Sequence, residues 1–192
     1  MRIGYAVQGS TDRAFLTGLK ERWCRDAELV EGSFRGSTGL SLRRELAKIC
    51  KDLFDFKGCD LLVFLSDADE QEWGEVQKNE IEKLPENIRP LTVYAIVDRN
   101  VECWLCADEG YIAGKVGRSS REFVVDNPKG IFESAMGITR DYKREKEIAD
   151  LVQHAPLENW MERSPSFKCF YEQLWQVSKN NHCQIENLWE RR

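Results

Sequence analysis

Along the chain the apolar positions change period several times, and each change marks an element. Ile3 to Val7 is a short apolar run closed by Gly9, and from Thr11 to Trp23 the residues Phe15, Leu16, Leu19 and Trp23 recur at helical spacing. That is strand, turn, helix, with Ser10 and Thr11 as candidate N-caps and Asp12 suited to the helix dipole. Leu29 to Phe34 predicts a second strand, Gly36-Ser37-Thr38-Gly39 a loop, and Leu42, Leu46, Ile49 and Leu53 the inner face of a second helix. Leu61 to Leu65 is apolar at every position, as in a strand covered on both faces, and is the candidate for the centre of the sheet. Glu72 to Leu84 predicts a helix ending before Pro85, and Leu91 to Val97 another strand. The order βαβαβαβ favours a mainly parallel sheet flanked by helices.

Val101 to Asp108 continues as a helix in which Val101, Trp104 and Leu105 pack on the sheet. The pattern weakens from Gly110 to Gly130, where Phe123 to Val125 is the candidate for a short edge strand. Tyr142 to Gln153 predicts a polar helix, and Ser164-Pro165 opens another with Phe167, Phe170, Tyr171, Leu174 and Trp175 on one face. The expectation is an α/β fold: a core over residues 1–110 and a mostly helical extension over 111–192, packed as one domain.

Composition narrows the classes. A chain of 192 residues with 42% hydrophobic and 32% charged residues reads as one globular domain rather than a disordered segment. The net charge of -5 argues against binding nucleic acid by bulk electrostatics, though not against a local basic strip or a metal bridging to phosphate. No run approaches the roughly 20 apolar residues of a membrane span, and no signal-peptide core precedes the first strand, so a cytoplasmic protein without membrane contact is expected. Seven cysteines scattered through apolar segments read as reduced core thiols.

In a parallel α/β sheet, ligands bind where the carboxyl ends of the strands meet loops and helix N-termini. Three segments lie there: Gln8-Gly9-Ser10-Thr11-Asp12, Asp67-Ala68-Asp69-Glu70 and Asp98-Arg99-Asn100-Val101-Glu102. Asp67 and Asp69, two apart in an extended segment, point to the same side, and a hard cation such as Mg²⁺ or Mn²⁺ relieves the repulsion between two such carboxylates. In the plainer alternative Asp67 caps the next helix and Asp69 is solvated. Glu102, on the first turn of its helix, and Asp98, at the strand end, are further candidate ligands; dipole complementarity alone also accounts for Glu102.

Arg35, Arg43 and Arg44 flank the Gly36–Gly39 loop and are candidates for phosphate contact. Lys143, Arg144 and Lys146 read instead as a solvated face, because Glu145 and Glu147 interleave them. Cys103-x-x-Cys106 lies in an apolar helix without a second pair, so zinc is not expected. No Ser-His-Asp or Cys-His arrangement is readable, and no Walker-type loop supports small-molecule phosphotransfer.

Taken in order, Val7-Gln8-Gly9-Ser10-Thr11-Asp12-Arg13-Ala14-Phe15-Leu16, Leu65-Ser66-Asp67-Ala68-Asp69, Val101 through Asp108 and Ser164-Pro165-Ser166-Phe167 resemble the Toprim-like (topoisomerase-primase) domains. The set is most similar to the small stand-alone proteins and to the nuclease half of the overcoming-lysogenization-defect proteins, which often work beside ATPases in bacterial anti-phage systems. The resemblance implies a Rossmann-like core with its first and third strands adjacent, and a metal-dependent nuclease or phosphodiesterase acting on DNA or RNA. Carried over by position, it makes Asp67 and Asp69 ligands of Mg²⁺ or Mn²⁺ and Glu102 a further acidic member, with Asp98 added from its place at the strand end. Position 8, here Gln8, is the family's catalytic or ligand position, with Asp12 and Glu102 the carboxylates expected beside it. Gly9, Ser10, Thr11, Arg35, Arg43 and Arg44 fall to the substrate, and an ATPase and a second copy of the chain are the protein partners it allows. Where the family usually has Glu before the first Gly, this chain has Gln8, which cannot act as a base. A module that binds nucleic acid or a partner ATPase without cleaving is therefore the competing expectation, with Asp12 as a possible substitute carboxylate.

Overall fold

The computed structural model describes residues 1–34, 38–137, 141–180, 183 and 187–189. The elements are β1 (Arg2–Ala6), α1 (Ser10–Trp23), β2 (Glu28–Glu31), α2 (Gly39–Arg44), α3 (Leu46–Lys51) with a π-helical turn at Asp52–Phe56, β3 (Leu61–Asp67), α4 (Trp73–Ile81) and β4 (Thr92–Val97). Then come α5 (Val101–Leu105), α6 (Glu109–Val116), α7 (Lys129–Met136), α8 (Asp141–Gln153), α9 (Leu157–Arg163) and α10 (Pro165–Asn180).

All strand pairings are parallel, in the order β2-β1-β3-β4, so β3 lies between β1 and β4 and the first and third strands are adjacent. The unbroken apolar run of β3 now has its cause. Leu61, Val63 and Leu65 face a core shared with α1, α5, α6 and α8 to α10, while Leu62 and Phe64 face a second core under α2, α3 and α4. Alternation is absent from the sequence because both faces of the pleat are dry.

The larger core is closed by the C-terminal helices. Phe15, Trp104, Trp160, Phe167 and Phe170, from α1, α5, α9 and α10, are at most 1% exposed and stack at centroid distances of 5.3–6.5 Å. Helix α10 also closes an edge of the sheet: the Gln173 amide accepts from Tyr94 N–H and donates to Tyr94 C=O, both at 2.9 Å, so one side chain stands in for a further strand. Gly18 lets α1 and α8 touch, since a Cβ there would lie 2.2 Å from the carbonyl oxygen of Ala149.

Three expectations are corrected. Ser120–Phe123 is a 3₁₀ turn rather than the start of an edge strand, because only Phe123 reaches the core while Val124 and Val125 are 67% and 46% exposed. The helix expected over Val101 to Asp108 ends at Leu105, and Asp108 instead caps α6 by accepting from Tyr111 N–H at 3.0 Å. Cys24 and Cys183, separated by 159 residues, are joined as a disulfide, whereas Cys50, Cys59, Cys103, Cys106 and Cys169 are free as expected. Scattered spacing carried no sign of that pair. Among the described residues no helix is long and apolar enough to cross a membrane.

Candidate functional site

Three parallel strands deliver their carboxyl ends to one side of the sheet. β1 runs into the Gln8-Gly9 turn before α1, β3 ends at Asp67, and β4 is followed by Asp98, Arg99 and Asn100 before α5. The first two ends are joined directly, because Gln8 Oε1 accepts the backbone N–H of Asp67 at 2.6 Å. The Ser10 and Thr11 capping roles go elsewhere: Gly9 is the N-cap of α1, and Asp12 turns back to accept from Gln8 N–H at 3.1 Å and Gly9 N–H at 2.9 Å. Asp12 is thereby fixed beneath the turn, 7% exposed.

Asp12, Asp67 and Glu102 form an acidic floor joined by the charge they exert on one another; Asp12 and Glu102 are buried, and Asp67 alone of the three lines the cleft. Burial, then the charge of Glu102, push the Asp12 carboxyl up to about 6, against the pull of the two backbone donors. Burial pushes Asp67 further, to about 8, with Asp12, Glu102 and Asp69 adding in that order. Glu102, only 4% exposed on the first turn of α5, is raised mainly by burial. Lys129, on the first turn of α7, opposes all three shifts.

Asp67 opens onto a cleft of about 1190 Å³ whose lining also includes Asp69, Asp98, Arg99, Asn100 and Lys129, together with Asn127 and the Glu70–Glu72 turn. Asp69 lines the same cleft as Asp67, but not by way of a shared extended segment. Asp67 is the last residue of β3, and Asp69 lies in the following turn at φ 57° with its side chain 49% exposed, 3.9 Å from Arg43. The period of two ends with the strand. Asp98 is exposed at the cleft wall, its N–H held by Ser166 Oγ at 3.4 Å. Arg99 also has a left-handed backbone, φ 65°, and donates to Asp126 C=O at 3.0 Å. These two are the non-glycine residues with positive φ among those described, and both line the cleft.

Arg43 was expected to meet substrate; the structure makes it a brace. Its side chain is 3% exposed and donates to Ser66 Oγ at 3.1 Å and to Asp67 C=O at 2.6 Å, which holds the end of β3 from the α2 side. Arg44 is exposed on the outer side of α2, and Arg35 lies outside the described residues. Gly9 and Ser10 are exposed at the mouth of the turn and Thr11 is half-buried. Lys143 is exposed and pairs with Glu147 at 3.8 Å, as a solvated face should, whereas Arg144 is partly buried and reaches Glu133 at 3.8 Å.

Sequence reasoning missed Lys129 and Asn127, and it named the stretches holding Asn100 and Ser166 without giving either residue a role. Asn100 Nδ2 donates to Asn127 Oδ1 at 3.2 Å, which carries the Asn127-Pro128-Lys129 segment to the β4 end. Ser166 accepts from Trp104 Nε1 at 2.8 Å besides Asp98 N–H, so the Ser-Pro-Ser-Phe stretch anchors α10 to the same corner. Only the Ser-Pro helix start signalled any of this, and it gave no hint of the partner.

Among the described residues no group of three or more His, Cys, Asp or Glu side chains is drawn together tightly enough to be a preformed metal centre. Against known proteins, the chain matches no family model, no curated protein and no solved structure.

Proposed function

We propose that the chain is a metal-dependent phosphodiesterase of Toprim-like type acting on nucleic acid. The observation that carries this reading is the acidic set of buried Asp12 and Glu102 with half-buried Asp67, which opens onto the polar cleft and is pushed up to about 8 by desolvation and by its neighbours' charge. The donors are all carboxylate oxygens under mutual repulsion, which is the chemistry that fits Mg²⁺ or Mn²⁺. Asp67, Asp12 and Glu102 would hold the ion, which when bound would lower the pKa of water and offset charge on a phosphate.

The chain's own residues supply the rest. Gln8 fixes the β1 turn to the β3 end through the Asp67 N–H, and Arg43 donates to the C=O of the same residue, so the peptides on both sides of Asp67 are held. Lys129 and Arg99 give the cleft cationic wall positions for a phosphodiester. With five free cysteines and a nucleic-acid substrate the reading goes with a cytoplasmic setting; the Cys24–Cys183 bond points the other way. The anti-phage role beside a partner ATPase belongs to the same proposal.

The test is Mn²⁺-dependent cleavage of DNA, RNA and a chromogenic phosphodiester by the wild type and by Asp67→Ala. Activity that disappears in the variant is expected; equal rates in both would remove the assignment. One observation favours the binding-module reading: position 8 carries an amide whose oxygen is already engaged by Asp67 N–H, so no base stands beside the floor there. On that reading the wild type is inactive and still binds nucleic acid.

A further inference from the structure

The segment that leads from the cleft back to β3 has two unlike faces. Leu42, Leu46, Ile49 and Leu53 turn inward and are at most 4% exposed. On the opposite side Leu40, Arg44, Ala47, Lys48 and Lys51 are all exposed, at the i, i+4, i+7, i+8 and i+11 spacing of one helical face. The π-helical turn then brings Phe56 to the surface at 75% exposure, with the Lys51 ammonium 5.9 Å from its ring centre. A chain of net charge -5 thus carries three cations in a row next to a solvent-facing aromatic ring. The acidic neighbours are Glu45, which pairs with Lys48 at 2.9 Å, and the exposed Asp55.

The inward side of this segment meets the candidate site, and the exposed face opens one residue later at Leu40. Gly39, the first residue of α2, lies so close to the β3 end that a Cβ there would be 2.6 Å from Asp67 O. From Leu40 to Phe56 the segment runs through α2, α3 and the π-helical turn in succession, an exposed surface with room for more than one nucleotide of a strand. Cations in a line suit consecutive phosphates, and an exposed ring suits an unpaired base, whose face a duplex would keep stacked inside.

We propose that this face is a track for single-stranded nucleic acid, in which Arg44, Lys48 and Lys51 follow the phosphates and Phe56 stacks a base. It rests on the proposed function only for where the strand leads, to the acidic cleft. The probes are fluorescein-labelled (dT)12 and a 12-base-pair duplex, followed by anisotropy in EDTA, where no cleavage takes place. Expected results are binding of (dT)12 by the wild type, a loss of about tenfold or more in Arg44→Ala/Lys48→Ala/Lys51→Ala with a shallower salt dependence, and a loss of about tenfold in Phe56→Ala. All these positions are exposed, and unchanged melting of the variants confirms that they fold. Absent (dT)12 binding, a Phe56→Ala protein that binds as the wild type does, or equal and Phe56-independent binding of the duplex each overturns the track. The Mn²⁺-dependent rate on the chromogenic phosphodiester is read in parallel: if it is absent while the anisotropy results hold, the phosphodiesterase reading fails and the track stands.

Discussion

Gln8 and Asp67 are joined by a 2.6 Å hydrogen bond from the Asp67 backbone N–H to the Gln8 side-chain oxygen. β1 has ended two residues earlier, so the amide extends the β1–β3 ladder beyond the last paired backbone, Ala6 with Phe64. A carboxylate at position 8 would accept the same N–H and add charge to the floor. Gln8→Glu is therefore expected to bind Mn²⁺ at least tenfold more tightly by calorimetry at neutral pH; unchanged affinity would show that position 8 only ties the strands together.

The raised acids make a statement about pH. Asp12 at about 6 and Asp67 at about 8 both lie above the ordinary value of 3.8, so between pH 4 and 8 the native protein keeps protons that the unfolded chain releases. Their contribution is fully present below about pH 4 and is lost as pH rises through 6 and then 8. In metal-free protein, stability should fall across that window. Asp67→Asn should flatten the fall and be more stable than the wild type at pH 8 by roughly 1–2 kcal/mol, a rise of several degrees in Tm. Melting curves at a series of pH values in EDTA check this, and a wild type that gains stability over the same range would refute it.

Arg43 is buried with its guanidinium on Ser66 Oγ and Asp67 C=O. Arg43→Met leaves that carbonyl without its donor, and the expected cost is about 2–3 kcal/mol, read as a fall in Tm of about 6–10 °C. Substitution of the exposed Arg44 should leave Tm within a degree or two. Equal effects at the two positions would contradict the bracing role.

Much of the fold was legible, and the reasons are specific. β3 announced itself because both its faces are dry, and the inner faces of α1, α2–α3 and α10 because each packs a regular apolar stripe on the sheet. What was not legible depended on contacts between distant segments. The Asp67/Asp69 pairing assumed that the strand continued one turn further than it does. Arg43 reads as a surface cation in sequence and becomes internal only because α2 lies against the end of β3. Lys129 comes from a stretch without periodicity and reaches the cleft through the Asn100–Asn127 contact.

The cysteine pairing gives a direct count. With Cys24 and Cys183 joined, the denatured, unreduced protein should show five reactive thiols and seven after reduction. Cys183→Ser should then melt at the same temperature with and without reductant, while the wild type melts lower in reductant. Seven thiols before reduction would return the pair to the reduced state read from sequence.

The account turns on which carboxylates act together, and Mn²⁺ binding at pH 8 decides it. Calorimetry on the wild type should show binding that is lost in Asp12→Asn and in Asp67→Asn and kept, within about threefold, in Asp69→Asn and Asp98→Asn. A wild type that binds no Mn²⁺, or one whose binding depends on Asp69 and Asp98 but not on Asp12, would contradict it.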